Sequence, residues 1–130
     1  ARSLVYTTGL PPAVIASCIA AVDIIATDAD RVARPLHNAK TFCDAVGLPE
    51  PGSPIVPLVI GAEQAALEAS AALEDAGFLV TPIRPPTVPA GTSRLRFTFT
   101  AEHTQAQVAA LAAAVNGLFL PETDARAAGA

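Results

Sequence analysis

The 130-residue chain contains no methionine, and its single lysine is Lys40. Open reading frames start with Met, so a chain opening at Ala1 is expected to be processed, excised or truncated, sharing its chemistry with other residues. Cysteine is almost as scarce. Cys18 and Cys43 stand alone, with no CxxC or HxxxH company. That leaves no zinc signature and favours two buried, reduced thiols over a disulfide. Charged residues make up only 15 % of the chain, and acids outnumber bases 12 to 8. The net charge is −4 and the pI about 4.9. With no basic run, this excludes a nucleic-acid surface. Long apolar runs are missing too. The most apolar window, Ala13 to Ala26, is interrupted by Asp23 and is too short to span a bilayer. The opening ARSLVYTT lacks the apolar region that follows the basic residue of a secretory signal. The expectation is a cytoplasmic protein with no nucleic-acid and no membrane partner.

What the chain does have is apolar bulk. Hydrophobic residues reach 52 %, enough for a packed core in one domain. Pro11 and Pro12 follow Gly9 and suit the first turn of a helix, which is predicted from about Pro12 to Ala26, with Val14, Ser17, Cys18 and Ala21 on one stripe. The TDAD stretch (Thr27 to Asp30) caps a second helix reaching about Val46. GLPEPGSP is a loop. IVPLVIG (Ile55 to Gly61) reads as a short buried strand with Pro57 as a blemish. AEQAALEASAALEDAG is a helix ending at Gly77. FLVTPI and RLRFTFT are two further strands. The last helix lies in HTQAQVAALAAAVNGLF, with Thr104 and Gln107 at capping-box spacing and Val108, Leu111, Ala112 and Val115 on one face. The order helix, helix, strand, helix, strand, strand, helix predicts an α+β fold, a small and mainly antiparallel sheet covered by helices.

Three of the eight basic residues fall within IRPPTVPAGTSRLRFTFT, residues 83–100. Side chains of a strand alternate between faces, so Leu95, Phe97 and Phe99 are assigned to the core. Arg94, Arg96, Thr98 and Thr100 share the opposite face. Arg84 precedes a loop stiffened by Pro85, Pro86 and Pro89 and given a pivot by Gly91. An arginine fork matches a carboxylate with two parallel hydrogen bonds, so Arg84 and Arg96 near one cleft would anchor a small carboxylate. Solvation of an exposed sheet face is the competing explanation for each arginine taken singly.

IRPPTVPAGTSRLRFTFTAEHT, together with YTTGLPPA near the start, resembles the C-terminal part of the α-oxoamine synthases, fold type I pyridoxal-phosphate enzymes. The resemblance runs from about Arg2 to Leu118. Arg84-Pro85-Pro86 points to the biotin-pathway branch, because sister enzymes carry a Tyr-Pro or a different proline loop there. The resemblance implies that residues 1–120 are the small C-terminal domain of a pyridoxal-phosphate-dependent acyltransferase, preceded by an interdomain helix, with residues 121–130 a flexible tail. It implies a decarboxylative condensation of L-alanine with a pimeloyl thioester, carried on coenzyme A or a carrier protein, in a homodimer. Arg96 would bind the amino-acid carboxylate. Arg84, on a mobile loop, would approach the same carboxylate or the acyl chain. Thr7 and Thr8 match a segment that reaches the cofactor phosphate across the dimer interface, although either could simply cap the following helix. Arg94 is expected to be structural or partnered to an acid. His37 and His103 are expected to be structural.

The cofactor's lysine, its aspartate and its stacking histidine would lie in a large domain outside this chain. Lys40 maps to a helix rather than to the cofactor lysine, so no catalytic residue is assigned here, and the chain alone is expected to be inactive and free of pyridoxal phosphate. Two alternatives stay open. One is a sister synthase using glycine or serine. The other is a stand-alone small-molecule binding module.

Overall fold

The computed structural model describes residues 9–119. It divides into two compact units, one running through Ala33 and the other starting at Arg34.

The first unit is built on helix α1 (Pro12–Thr27). Pro12 occupies its first turn, where a missing N–H costs nothing. The Val14 N–H donates to the Pro11 carbonyl at 2.9 Å. At the far end Asp28 does double duty. Its N–H closes α1 on the Ile24 carbonyl at 2.8 Å, and its carboxylate accepts from the Arg31 N–H at 2.9 Å. That bond caps helix α2 (Ala29–Val46), as the TDAD stretch predicts. No residue of α1 is buried. Cys18, expected to be a buried thiol, is therefore exposed. The reason is compositional. Leu10 before the helix and Val14, Ile15, Ile19, Val22, Ile24 and Ile25 within it are all exposed, and alanines occupy many of the remaining positions, so little contrast separates one face of the helix from another.

The second unit holds the rest of α2, strand β1 (Ile55–Gly61), helix α3 (Glu63–Asp75), strands β2 (Thr81–Ile83) and β3 (Ser93–Thr98), and helix α4 (Gln105–Phe119). The three strands form one antiparallel sheet in the order β1-β3-β2. Pro57 and Pro82 thus lie on edge strands, where a missing N–H breaks no ladder. This removes the blemish in β1. Helices pack on one face of the sheet. Leu95, Phe97 and Phe99 are buried there as the alternation predicts, beside Ala39, Phe42 and Cys43 of α2, Leu73 of α3, and Val108, Ala112 and Val115 of α4. The Phe42 ring lies 4.7 Å from Phe97 and 5.3 Å from Phe99, centroid to centroid. Burying each such ring contributes about 1.5–3 kcal/mol.

Local chemistry sets the ends of the elements. The Thr104 N–H donates to Gln107 Oε1 at 2.9 Å, and the Gln107 N–H donates to Thr104 Oγ1 at 3.3 Å. This is a reciprocal capping box on α4. Helix α3 stops where Gly77 takes φ +88°. The Gly77 N–H then reaches the Glu74 carbonyl and the Phe78 N–H the Leu73 carbonyl, both at 2.8 Å. The same cap shortens the next strand. FLVTPI is expected to be a strand throughout, yet only Thr81–Ile83 pair with β3. The Phe78 N–H is spent on the cap, and the Val80 carbonyl accepts from Ser70 Oγ at 2.7 Å. The third strand ends at Thr98 rather than Thr100, because the Thr100 N–H turns to His103 Nδ1 at 3.1 Å.

Asn38 joins these parts. It lies on the buried face of α2. Its Nδ2 donates to the carbonyls of Thr100 and His103, each at 3.0 Å, while its Oδ1 accepts from Gln105 Nε2 at 2.8 Å.

Candidate functional site

The sheet register decides which side chains share the face away from the helices. Pro57 and Thr81 stand opposite Arg96, and Val59 and Ile83 stand opposite Arg94. Directly opposed residues share a face. Pro57, Val59, Thr81, Arg96 and Thr98 are all exposed, so this side of the sheet carries an apolar floor with a guanidinium above its middle strand. Among the described residues no hydrogen bond or ion pair engages the Arg96 side chain. Arg94 is different. It is half-buried and its Nε donates to the Thr92 carbonyl at 3.0 Å, the structural option of the two raised by the sequence.

The proline loop is a folded object. The Thr87 N–H donates to the Arg84 carbonyl at 3.0 Å, closing a turn around the cis Pro85–Pro86 bond. Thr92 closes a second turn, donating through Oγ1 to the Pro89 carbonyl at 2.8 Å. Gly91 between them takes φ +78°, a conformation that side chains other than glycine's resist. A Cβ added at Gly61, at the end of β1, would stand 3.6 Å from the Gly91 carbonyl oxygen. The loop thus lies close against the corner between β1 and α3.

Arg84 stands at the root of this loop, immediately after β2. The position opposite Arg96 is Thr81, three residues earlier, or about 10 Å along the strand. The Arg84 Nη1 is 2.7 Å from Glu63 Oε1, a half-exposed ion pair to the first residue of α3. The structure therefore gives the two arginines different neighbours. Arg96 stands on the open sheet face, and Arg84 stands at the rim, paired with an acid of its own chain. Thr7 and Thr8 lie outside the described residues.

The remaining titratable groups fall into structural places. Lys40 pairs with Glu50 Oε1 at 2.5 Å on the surface. Its ammonium, through a hydrogen bond and its charge, holds the Glu50 carboxyl below the ordinary carboxylate range. His37 is exposed on α2, and its carbonyl accepts from Thr41 Oγ1 at 3.1 Å. His103 takes the Thr100 N–H and sets its ring edge-on to Phe99 at 6.2 Å. Burial pushes the Cys43 thiol up, and the charge of Asp44 adds to the effect. A cavity of about 320 Å³ opens between Phe78, Val80, Phe97, Phe99 and Leu111. It lies on the helix side of the sheet, away from Arg96. Among the described residues no single helix is long and apolar enough to cross a membrane.

Two residues that matter here escaped the sequence reading. Asn38 carried a usable signal, a polar side chain on the same helical face as Ala39, Phe42 and Cys43. Glu63 carried none, because its partner is 21 positions away.

Comparison with known proteins follows the same segments. Residues 1–115 match the family model for aminotransferase class I and II. The 8-amino-7-oxononanoate synthase of Methylocella silvestris is 56 % identical over 118 residues, which is 91 % of this chain and 34 % of that protein. The enzyme of the same name from Methylorubrum extorquens strain PA1 is 59 % identical over 115 residues, 88 % of this chain and 30 % of that protein. The chain spans about a third of the length of the curated relatives it matches. Among solved structures, a serine palmitoyltransferase from S. paucimobilis with a bound PLP–myriocin aldimine superposes with a TM-score of 0.71 at 30 % identity, over 88 % of this chain and 31 % of that one. An 8-amino-7-oxononanoate synthase from Francisella tularensis gives a TM-score of 0.65 at 23 % identity, over 88 % and 36 %, and supports the fold. The small antiparallel sheet with its helices is thus an α+β architecture shared with part of the fold type I pyridoxal-phosphate enzymes. The chain belongs to the aminotransferase class I and II family, and within it its similarity runs to the 8-amino-7-oxononanoate synthases.

Proposed function

We propose that this chain is the substrate-anchoring C-terminal part of an 8-amino-7-oxononanoate synthase. The whole protein would join L-alanine to a pimeloyl thioester, forming a carbon–carbon bond at the alanine Cα and releasing carbon dioxide and the thiol, on the way to biotin. The observation that carries this reading is Arg96. It is a cation without a protein partner among the described residues, on the open face of the central strand, in a chain 55–59 % identical to enzymes of that name.

A guanidinium so placed would take an amino-acid carboxylate through two parallel hydrogen bonds. Gripping the carboxylate fixes the rotation about Cα, and so which Cα bond is presented for reaction. A rigid strand suits this task, since the neighbouring side chains Leu95 and Phe97 are locked in the core. Arg84 would add a second positive charge from the rim, for the same carboxylate or for the acyl chain. Arg94, tied to Thr92, keeps the end of the loop in register.

The cofactor in this reading is pyridoxal phosphate, an electron sink for charge developing at Cα. The chain's one lysine stands on α2 and pairs with Glu50 at the surface. The cofactor would be held by the part of the protein beyond this chain, with Thr7 or Thr8 donating a hydroxyl hydrogen bond to its phosphate across a homodimer interface. The test is turnover by the full-length protein with pimeloyl-CoA and, in turn, L-alanine, glycine and L-serine. Preference for L-alanine supports the reading. Preference for glycine or serine would move the protein to a sister synthase, and no thiol release with any of the three would end the enzyme reading.

A further inference from the structure

Glu63 does not figure in the proposed chemistry, yet it holds one of the arginines assigned to it. The Arg84 Nη1 meets Glu63 Oε1 at 2.7 Å. Both side chains are about half exposed, so the pair faces solvent and can exchange. The contact uses one guanidinium nitrogen and one carboxylate oxygen. A free carboxylate offered to the same fork could take two parallel N–H bonds. Two other hydrogen bonds of the loop, Thr87 to Arg84 and Thr92 to Pro89, are internal to it. Two described side-chain bonds tie it to other elements, Arg94 of β3 to the Thr92 carbonyl at its far end and Arg84 to Glu63 of α3 at its root. Among the described residues Arg96, on the sheet, has no such acid. The two arginines therefore differ in one respect that bears on binding. A carboxylate approaching Arg84 meets a guanidinium that another carboxylate already holds through one nitrogen, and competes with it for the full fork.

We infer that Glu63 is a positioning residue that acts through Arg84. It parks the loop arginine at the β1–α3 corner as an internal substitute for the substrate carboxylate, and it lowers the protein's affinity for the amino acid by competing for that guanidinium. This rests on the reading of Arg84 as a carboxylate contact. Half-exposed ion pairs contribute little to stability, so the competition is worth a small factor, about two- to fivefold in affinity.

The experiment uses the full-length protein and L-alanine, in four forms: wild type, Glu63→Gln, Arg84→Gln and the double variant. Glu63→Gln is expected to lower the KM for L-alanine about two- to fivefold with kcat little changed. The same substitution in the Arg84→Gln background is expected to leave KM where Arg84→Gln alone put it. That background also controls for the loss of an acidic group at the start of α3, which is identical in both. Salt should narrow the gap between wild type and Glu63→Gln by screening the pair. A second readout needs no turnover. In the 130-residue chain labelled with 15N-arginine, the guanidinium rotation of Arg84 should speed up when Glu63 becomes Gln. A KM that is unchanged or raised in Glu63→Gln, or an equal fall in both backgrounds, overturns the inference. An Arg84→Gln variant with unaltered KM would instead remove the reading of Arg84 as a carboxylate contact, so the two failures are distinguishable.

Discussion

Asn38 of α2 donates through Nδ2 to the Thr100 carbonyl at 3.0 Å, tying the second helix to the chain just past the strand that carries Arg96. The same amide reaches the His103 carbonyl, and Gln105 returns a bond to its oxygen. Asn38 is fully buried, so replacing it with Leu removes three part-buried hydrogen bonds at once. The expected loss is about 2–4 kcal/mol, read as a lower urea midpoint with an unchanged slope.

Ser93 presents the opposite case. Its side chain is fully buried, and among the described residues its hydroxyl has no hydrogen-bond partner. A buried polar group left unpaired costs about 1–3 kcal/mol. Ser93→Ala removes the group without opening a cavity of any size, and should raise stability by about 1 kcal/mol in the same titration.

The two thiols should separate cleanly in the 130-residue chain. Cys18 is exposed, whereas Cys43 is buried and its thiol is held protonated by burial and by Asp44. Thiolates, not thiols, attack disulfide reagents. One equivalent of a colorimetric disulfide reagent should react quickly with the folded chain, and Cys18→Ser should abolish that phase while leaving the slow one.

Lys40 gives a prediction in pH. The folded chain holds the Glu50 carboxyl below its ordinary value through Lys40. A depressed carboxylate stabilises the fold above its unfolded pKa, and that contribution is lost as pH falls through the folded pKa. Lys40→Ala should therefore flatten the fall in melting temperature on the acid side, below about pH 4.5, slightly, because the pair is exposed. In the full-length protein the same change should leave turnover near normal. Complete loss would mean that Lys40 serves the chemistry after all.

Much of the fold was legible in the sequence because local periodicity and tertiary packing agree. Leu95, Phe97 and Phe99 alternate and are buried, and Thr104 and Gln107 cap each other at the spacing their types require. The departures have local causes. Val80 could not continue β2, since its carbonyl is taken by Ser70. Cys18 could not be placed by a stripe, because none of α1 is buried among the described residues. For the candidate site, the sequence singled out Arg84 and Arg96 by residue type and strand parity. It could not reveal that Glu63 occupies the first of them, because an ion pair across 21 positions leaves no periodic trace.

The central claim is that Arg96 grips the carboxylate of the amino acid. The direct measurement is the KM for L-alanine in the full-length protein with Arg96 changed to Ala, at saturating thioester. A charge-assisted hydrogen-bonded contact contributes about 1.5–3 kcal/mol, so KM should rise roughly 10- to 150-fold, with Arg96→Lys recovering only part of the loss because an ammonium lacks the planar fork. A KM for L-alanine that stays at the wild-type value in both variants would contradict the claim and return Arg96 to an ordinary solvated strand face.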